Sequence, residues 1–232
     1  MNGDRALIDT FIKGVEVDGR IDTVLCPPSV FLLESQKGGF SVGAQDCSAL
    51  ENGAHTGDLS VSILKDVGVT YVICGHSERR QTHGETDIDV AKKVSAILKE
   101  GLIPIFCIGE SLEIRKSGKL FEFLEQQVDA MLALCGKEFV EKGVLAYEPI
   151  WAIGTGETAT PEQAQEVHAF LRNKLGRYGD AANTQILYGG SVNSKNAEEL
   201  FSQPDIDGGL VGGASMKLDS FNELCRIATK RL

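Results

Sequence analysis

The fold of this chain is decided by the stretch Gly143-Val144-Leu145-Ala146-Tyr147-Glu148-Pro149-Ile150-Trp151-Ala152-Ile153-Gly154-Thr155-Gly156. The apolar run before Glu148 predicts a buried strand, and Pro149 ends that strand. Further along, Thr160 and Pro161 are the residue types preferred at a helix N-cap and at the first helical position. The stretch therefore predicts a strand, a loop and a helix, with a carboxylate at the carboxyl end of the strand.

Glu148 has two interpretations. A carboxylate directly after a strand is most often a solvated loop residue. A loop bounded by Pro149, Gly154 and Gly156 can instead close over a base and exclude water. Separately, the residues from Gly154 to Ala159 match the loose dinucleotide-binding motif G-x-G-x-x-A. That match is weak, because the strand ends well before Gly154 and no acidic residue ends a second strand about 20 residues later.

Apolar runs and helical patterns alternate along the whole chain. Seven strands are predicted to start at residues 21, 40, 70, 103, 143, 185 and 208. Helices are predicted at 4–17, 29–36, 60–67, 86–100, 118–135, 161–177, 194–201 and 217–230. Short buried strands separated by helices indicate parallel strands joined by crossovers, an α/β fold. No linker or change in composition divides the chain, so residues 1–232 are expected to form a single domain.

Composition excludes several classes of function. The net charge of −10 and the pI of about 4.9 argue against nucleic acid or an anionic membrane as the main partner. The six cysteines form no C-x-x-C pair, so we expect free thiols in a reducing compartment and no metal site. The first residues lack the pattern of a signal peptide. Together these features predict a cytoplasmic protein.

Chemistry-bearing residues also follow other predicted strands. His76 comes after the strand at 70–74 and before a predicted helix start, where backbone N–H groups disfavour a proton on the ring. On its own, a single histidine is more often structural. Gly189-Gly190-Ser191 and Gly212-Gly213 follow the last two strands. Glycines at such positions let backbone N–H groups approach a phosphate. Two tight turns are the alternative, but a phosphate site formed by the last two strands recurs in parallel α/β barrels, so phosphate binding is favoured.

The chain resembles the triosephosphate isomerase family over essentially its whole length. Four segments carry the resemblance, in the order and spacing of the family: residues 75–80 (GHSERR), 146–156 (AYEPIWAIGTG), 188–192 (YGGSV) and 211–215 (VGGAS). The resemblance implies a TIM (β/α)8-type barrel and an isomerase of glycolysis and gluconeogenesis. Such an enzyme moves a proton between adjacent carbons of a triose phosphate and uses no cofactor.

The resemblance also implies roles for individual residues. Glu148 would be the base and His76 the neutral electrophile, with Glu78 as a supporting carboxylate. The phosphate would be held by Gly154, Ser191, Gly212 and Gly213. The lid loop over residues 149–157 would include Pro149, Ile150, Trp151, Ala152, Ile153 and Thr155. The loop over residues 46–58 would join two subunits of a homodimer, with Thr56 inserted into the neighbouring subunit.

One departure from the family concerns the start of the sequence. The family begins with a strand ending in Asn-x-Lys, and Met1-Asn2-Gly3-Asp4 aligns just after that lysine. Either the start was assigned too far downstream, or the chain is short. We expect seven strands, with open edges at 21–26 and 206–211. Without the lysine we expect reduced turnover, and the alternative function is an inactive barrel that retains phosphate binding or subunit association.

Overall fold

The computed structural model describes residues 2–154 and 157–231, and the predicted apolar runs form seven parallel strands within them. Each strand pairs with the next strand along the chain. The strands are β1 (Val24–Leu25), β2 (Ser41–Ala44), β3 (Tyr71–Cys74), β4 (Ile103–Ile108), β5 (Val144–Tyr147), β6 (Gln185–Tyr188) and β7 (Gly208–Gly209). All seven lie where the sequence predicts them. The sheet is curled and carries helices between its strands, as in TIM-type α/β folds.

Helices lie between the successive strands, and one helix precedes the first strand and another follows the last. They are α1 (Arg5–Gly14), α2 (Leu32–Ser35), α3 (Val61–Asp66), α4 (Ser77–His83), α5 (Asp87–Lys99), α6 (Leu112–Lys116), α7 (Leu120–Lys142), α8 (Pro161–Leu175), α9 (Ala197–Phe201) and α10 (Leu218–Lys230). Residue types at the helix starts explain several boundaries. Thr160 caps α8 and forms a reciprocal capping box with Gln163, as Thr86 does with Asp89 at α5.

Two helices differ from their predictions. Helix α7 continues to Lys142, beyond the predicted end at residue 135, because Gly136 adopts φ 46° and lets the chain kink and resume helical turns. The short helix α6 was not predicted. It begins at a Ser111 N-cap and spans only five residues, too few to show a helical period in the sequence.

The sheet packs differently on its two faces. Alternate side chains of β3, Val72 and Cys74, point to the large core formed with the helices. The other side chains of β3, Tyr71 and Ile73, line a smaller cluster inside the curled sheet, together with Ile105, Cys107, Val144 and Ala146. This alternation follows from the two-residue repeat of a strand. It leaves the strand ends as the place where polar side chains of several strands can meet.

The two outer strands of the sheet are β1 and β7, as predicted. Among the described residues no ladder joins these two strands, so pairing between them does not close the sheet. The Gln185 side chain donates a hydrogen bond to the Asp22 carboxylate (3.1 Å), so the start of β6 reaches the segment before β1. This contact shows how far the sheet curls.

The cysteine side chains are free thiols. Burial raises the pKa of Cys26 and Cys47 to about 12, and raises the pKa of Cys74 and Cys107 as well. Raised pKa values keep these thiols protonated and unreactive.

In the part of the chain that the structure describes, no helix combines the length and apolar character needed to cross a membrane.

Candidate active site

Glu148 lies directly after β5 and is only 1% exposed. Its backbone N–H donates to the carbonyl of Ile108 on the neighbouring strand (2.7 Å), which continues the sheet hydrogen bonding by one residue. The side chain therefore projects from a rigid strand end. Burial rules out the interpretation of Glu148 as a solvated loop residue.

Both carboxylate oxygens of Glu148 have partners at the start of α4. The backbone N–H of Ser77 donates to Oε2 (2.9 Å), and the Ser77 hydroxyl lies 3.4 Å from Oε1. Nε2 of His76 lies 2.9 Å from Oε1. Hydrogen-bond donors of this kind stabilise a buried carboxylate. The structure thus brings together the two residues that the sequence singles out at the ends of different strands.

The hydrogen bonds of His76 define which nitrogen carries its hydrogen. His76 is the N-cap of α4, and its Nδ1 accepts a hydrogen bond from the backbone N–H of Glu78 (3.3 Å). In the neutral ring Nε2 must then carry the hydrogen and donate it to Glu148. The ring can therefore present one N–H at the carboxyl end of the strands.

The pKa shift of His76 differs from the prediction. Burial lowers the pKa of His76, but the hydrogen bond with Glu148 and the charges of Glu148 and Glu78 outweigh burial, so the pKa is raised. The sequence pattern indicated only the helix start, which disfavours a proton. It could not indicate that a carboxylate would occupy the other side of the ring.

Glu78 lies at the edge of this arrangement. Its side chain is 79% exposed, and one carboxylate oxygen is 3.9 Å from Nδ1 of His76. The main contribution of Glu78 in the structure is its backbone N–H, which holds the imidazole.

The glycine-rich loops after β6 and β7 are neighbours. Tyr188 pairs with Gly209, and the backbone N–H of Leu210 donates to the carbonyl of Tyr188 (3.0 Å). Gly212 and Gly213 are exposed, and a Cβ at either position would meet no other atom within 4 Å. Gly213 begins a 3₁₀ turn that ends at Met216. Open backbone therefore faces solvent here, next to the loop that contains Ser191.

The segment after Glu148 is held against the barrel by a residue that the sequence did not single out. Ile150–Ala152 form a 3₁₀ turn, and the indole N–H of Trp151 donates to Oε1 of Glu110 (2.8 Å). Ala152 is buried, Ile153 follows the turn, and Gly154 adopts φ 68°. Thr155 and Gly156 lie outside the described residues.

Glu110 is fully buried at the end of β4. Its Oε1 also accepts hydrogen bonds from the Tyr147 hydroxyl (3.1 Å) and from Arg115 (3.2 Å). The Arg115 guanidinium lies 5.1 Å from the centre of the Trp151 ring. Burial raises the pKa of Glu110, and the bonds from Trp151, Tyr147 and Arg115 oppose part of that rise. One sequence signal could have singled out Glu110: the pair Gly109-Glu110 follows an apolar strand, and Glu148 also follows an apolar strand.

Two glycines make room for Glu148. A Cβ at Gly109 would overlap the carbonyl oxygen of Glu148, and a Cβ at Gly189 would lie 2.9 Å from Cγ of Glu148. The backbone N–H of Gly109 is held by the Gln127 side chain (2.9 Å). Close approach of neighbouring backbones therefore sets the position of the carboxylate, and only glycine allows it.

A second buried group, His168 of α8, lies beneath the same strand ends. Its Nδ1 is 3.2 Å from the carbonyl oxygen of Asp205, and its ring packs edge-on against Tyr147 with ring centroids 5.9 Å apart. Burial lowers the pKa of His168 to about 4. No sequence pattern singles out His168, since it appears as one more position of a helix.

The loop over residues 46–58 leaves the body of the protein. Residues 50–58 are all exposed, including Thr56. The base of the loop is ordered by a hydrogen bond from the Ser48 N–H to the carbonyl of Leu59 (2.8 Å) and by the ion pair of Asp46 with Lys93 (2.6 Å).

Among the described residues, no group of three or more His, Cys, Asp or Glu side chains is placed to hold a metal ion.

We predict that Gly109→Ala destabilises the protein. The added methyl group meets backbone atoms of Glu148, which cannot rotate away, and overpacking of this kind costs about 1–3 kcal/mol or more. Urea unfolding measures the loss. Gly19→Ala is the matched control, since a Cβ there meets nothing within 4 Å. Equal stability of the two variants would contradict the prediction.

We predict that His168 makes the protein less stable in acid. Its pKa is about 4 when folded and about 6.5 when unfolded, so the unfolded chain binds more protons between these values. The stabilisation is present above pH 6.5 and is lost as the pH falls towards 4. Between pH 7.5 and 4.5 the parent should lose roughly 2–3 kcal/mol more unfolding free energy than His168→Gln. Parallel losses in the two proteins would refute this.

Comparisons with known proteins show which family this chain belongs to. A family model described as triosephosphate isomerase matches residues 1–228. A protein of Hydrogenovibrio crunogenus named triosephosphate isomerase is 47% identical over 240 residues, which cover 98% of this chain and 94% of that protein. Proteins of the same name from Shewanella amazonensis and Shewanella halifaxensis are 46% and 44% identical over 244 residues, with the same coverage. This chain belongs to the triosephosphate isomerase family.

Proposed function

We propose that this chain interconverts dihydroxyacetone phosphate and D-glyceraldehyde 3-phosphate, a reaction of glycolysis and gluconeogenesis. The observation that carries the proposal is the contact between the buried Glu148 carboxylate and Nε2 of His76 (2.9 Å). It places a proton acceptor and a hydrogen-bond donor side by side at the carboxyl ends of β5 and β3. In barrels of parallel strands, that end is where chemistry takes place.

Glu148 is proposed as the base. It takes the proton from the carbon next to the substrate carbonyl, the electron pair moves onto the carbonyl oxygen, and an enediolate forms. The same carboxyl group then returns the proton to the neighbouring carbon, while the hydroxyl hydrogen on the first carbon moves to the oxygen that was the carbonyl, which leaves the new carbonyl on the first carbon. A positioned side chain that transfers a proton in this way typically contributes a factor of about 10²–10⁴ in rate.

His76 is proposed to stabilise the oxygen that becomes negative. Its single N–H, on Nε2, points at Oε1 of Glu148. A substrate carbonyl that accepts this hydrogen bond takes the place of Glu148. Binding of the substrate therefore supplies the donor to the developing charge and frees the base at the same time.

Ser191, Gly212, Gly213 and Gly154 are proposed to hold the phosphate through backbone N–H groups. Two facts support this assignment: the loops after β6 and β7 lie side by side, and Gly212 and Gly213 leave open space. Backbone N–H groups supply positive partial charge without a cationic side chain, which suits an acidic protein. The supporting role of Glu78 is also proposed, through its N–H to His76.

The lid over residues 149–157 is proposed to close over the bound substrate. In the described part of this segment, the Trp151–Glu110 hydrogen bond (2.8 Å) and the turn at Ile150–Ala152 hold the loop against the barrel. Closure excludes water, which strengthens the interactions of Glu148 and His76 with the reacting atoms. No cofactor takes part in the proposed chemistry.

A cytoplasmic homodimer is the proposed state of the protein. The loop over residues 46–58 is long and ordered at its base, and long ordered loops are usually functional. Its tip carries Leu50, which is 52% exposed, and Thr56. Insertion of this tip into a second copy would bury both residues.

We predict that Glu148→Gln loses about 10²–10⁴-fold in kcat, because an amide cannot accept the proton. A coupled assay of triose phosphate turnover measures the loss. Glu162→Gln, at an exposed position in the first turn of α8, should retain the parent rate. Near-parent turnover in Glu148→Gln would exclude Glu148 as the base. A parent chain that binds phosphate without turnover would instead favour the inactive barrel.

We predict that Gly212→Val weakens phosphate binding. The side chain enters open space, so folding is little affected, but the isopropyl group blocks the approach of an anion to the backbone. Loss of a hydrogen bond to a charged group lowers affinity about tenfold or more. KM and the inhibition constant of inorganic phosphate should rise together, while Gly19→Val leaves both unchanged. Unaltered phosphate inhibition in Gly212→Val would place the anion elsewhere.

We predict that light scattering at micromolar concentration gives twice the 25.0 kDa mass of one chain. Leu50→Glu should shift the mass to that of one chain, because a buried unpaired charge opposes association. Leu134→Glu is the matched control, since Leu134 on α7 is 54% exposed and lies outside the loop. A parent protein with the mass of one chain would contradict the dimer.

A further inference from the structure

Arg80 of α4 is a mostly buried cation to which the proposed chemistry assigns no role. Its side chain is 13% exposed. Nε donates to the carbonyl of Gly75 (2.8 Å), Nη2 to the carbonyl of Cys107 (3.3 Å) and Nη1 to the carboxylate of Asp87 (2.5 Å). These partners lie just after β3, near the end of β4 and at the start of α5. A planar guanidinium holds its donors in a fixed fork, so it sets the relative positions of the groups that it binds.

Each carbonyl partner lies next to one half of the proposed catalytic pair. Gly75 directly precedes His76, so its hydrogen bond fixes the peptide group that leads into the imidazole-bearing residue. Cys107 directly precedes Ile108, and the carbonyl of Ile108 accepts the backbone N–H of Glu148 (2.7 Å). The guanidinium therefore joins the backbone that carries His76 to the backbone that carries Glu148.

The backbone of His76 is held on both sides by the same residue. The backbone N–H of Arg80 donates to the carbonyl of His76 (3.2 Å), while its side chain binds the carbonyl of Gly75. Gly75 adopts φ 71°, and a Cβ there would lie 2.6 Å from Cγ1 of Val90, so the turn between β3 and α4 is tight. Arg80 thus fixes the turn from which the imidazole projects.

We propose that Arg80 is a positioning residue, which sets the distance between His76 and Glu148 by holding the ends of β3 and β4 together. The inference rests on the proposed function, because it assigns a purpose to the spacing of these two side chains. Arg80 acts through backbone carbonyls. Its ion pair with Asp87 balances the charge of a mostly buried cation and does not set the spacing.

The conservative variant Arg80→Lys tests the proposal. It keeps the positive charge, but an ammonium group cannot reproduce the planar fork that binds both carbonyls. We expect kcat for triose phosphate to fall about 10–100-fold, because small displacements of catalytic groups have effects of this size. KM and the inhibition constant of inorganic phosphate should stay near the parent values, since the loops proposed to hold phosphate follow β6 and β7. Parent-level kcat in Arg80→Lys would overturn the proposal.

Two control variants separate positioning from charge balance and from stability. Asp87→Asn removes the ion pair and leaves the carbonyl bonds of Arg80, so it should retain the parent kcat. Arg172 also binds two backbone carbonyls and two carboxylates, but at the amino end of β6. Arg172→Lys should therefore lower the thermal midpoint without lowering kcat. A loss of kcat in either control as large as that in Arg80→Lys would contradict the proposal.

A titration of His76 by NMR tests the proposal without any measurement of turnover. Burial lowers the pKa of His76, but the hydrogen bond and charge of Glu148, with the charge of Glu78, raise it above its ordinary value. If Arg80→Lys moves the ring away from Glu148, the pKa of His76 should fall although the charge at position 80 is kept. In Arg80→Met it should also fall, whereas loss of a positive charge alone would raise it.

The titration also distinguishes failure of this inference from failure of the proposed function. An unchanged or higher pKa of His76 in Arg80→Lys refutes the positioning role, even in an active enzyme. A lower pKa in a chain whose parent shows no isomerase turnover supports the positioning role and refutes the proposed function alone.

Discussion

The hydrogen bonds of the buried Glu148 carboxylate are the interaction on which the site depends. A carboxylate that is 1% exposed has lost its water, and only fixed donors can replace it. Those donors are Ser77 N–H and His76 Nε2, both at the start of α4. The carboxylate therefore ties the end of β5 to the helix that follows β3. A polar contact thus links the ends of two strands that are not neighbours in the sheet.

The contact between Glu148 and the start of α4 constrains the backbone on either side of Glu148. For Glu148 to reach α4, the chain after β5 must lie very close to the chain after β4. Gly109 allows that approach, and the Gln127 side chain holds its N–H in place (2.9 Å). Gly189 likewise allows the chain after β6 to lie close to the Glu148 side chain. Gly109 and Gly189 thus make room for the Glu148 carboxylate, which is a role separate from the binding of an anion by the glycine-rich loops.

The sequence predicts some parts of this arrangement and leaves out others for physical reasons. All seven strands could be predicted, because buried parallel strands are short apolar runs that stand out between helices. Glu148 and His76 could be selected because strand ends of such a sheet meet at one edge. Glu110 and Trp151 lie 41 residues apart in sequence, and only the folded sheet shows that they bond. The pKa of His76 depends in the same way on a carboxylate that is distant in sequence. His168 has no local pattern, since a histidine on a buried helix face is recognisable only by the atoms left beside it.

Glu110 and Glu148 show how two buried carboxylates at adjacent strand ends differ in what holds them. Oε1 of Glu110 accepts hydrogen bonds from Trp151, Tyr147 and Arg115, while its Oε2 has no partner. Movement of the loop away from β4 would remove the Trp151 donor from a group whose pKa burial already raises. The hydrogen bond therefore opposes movement of the loop away from β4. Any other position of the loop must replace this hydrogen bond with new contacts, and a bound substrate is one source of such contacts.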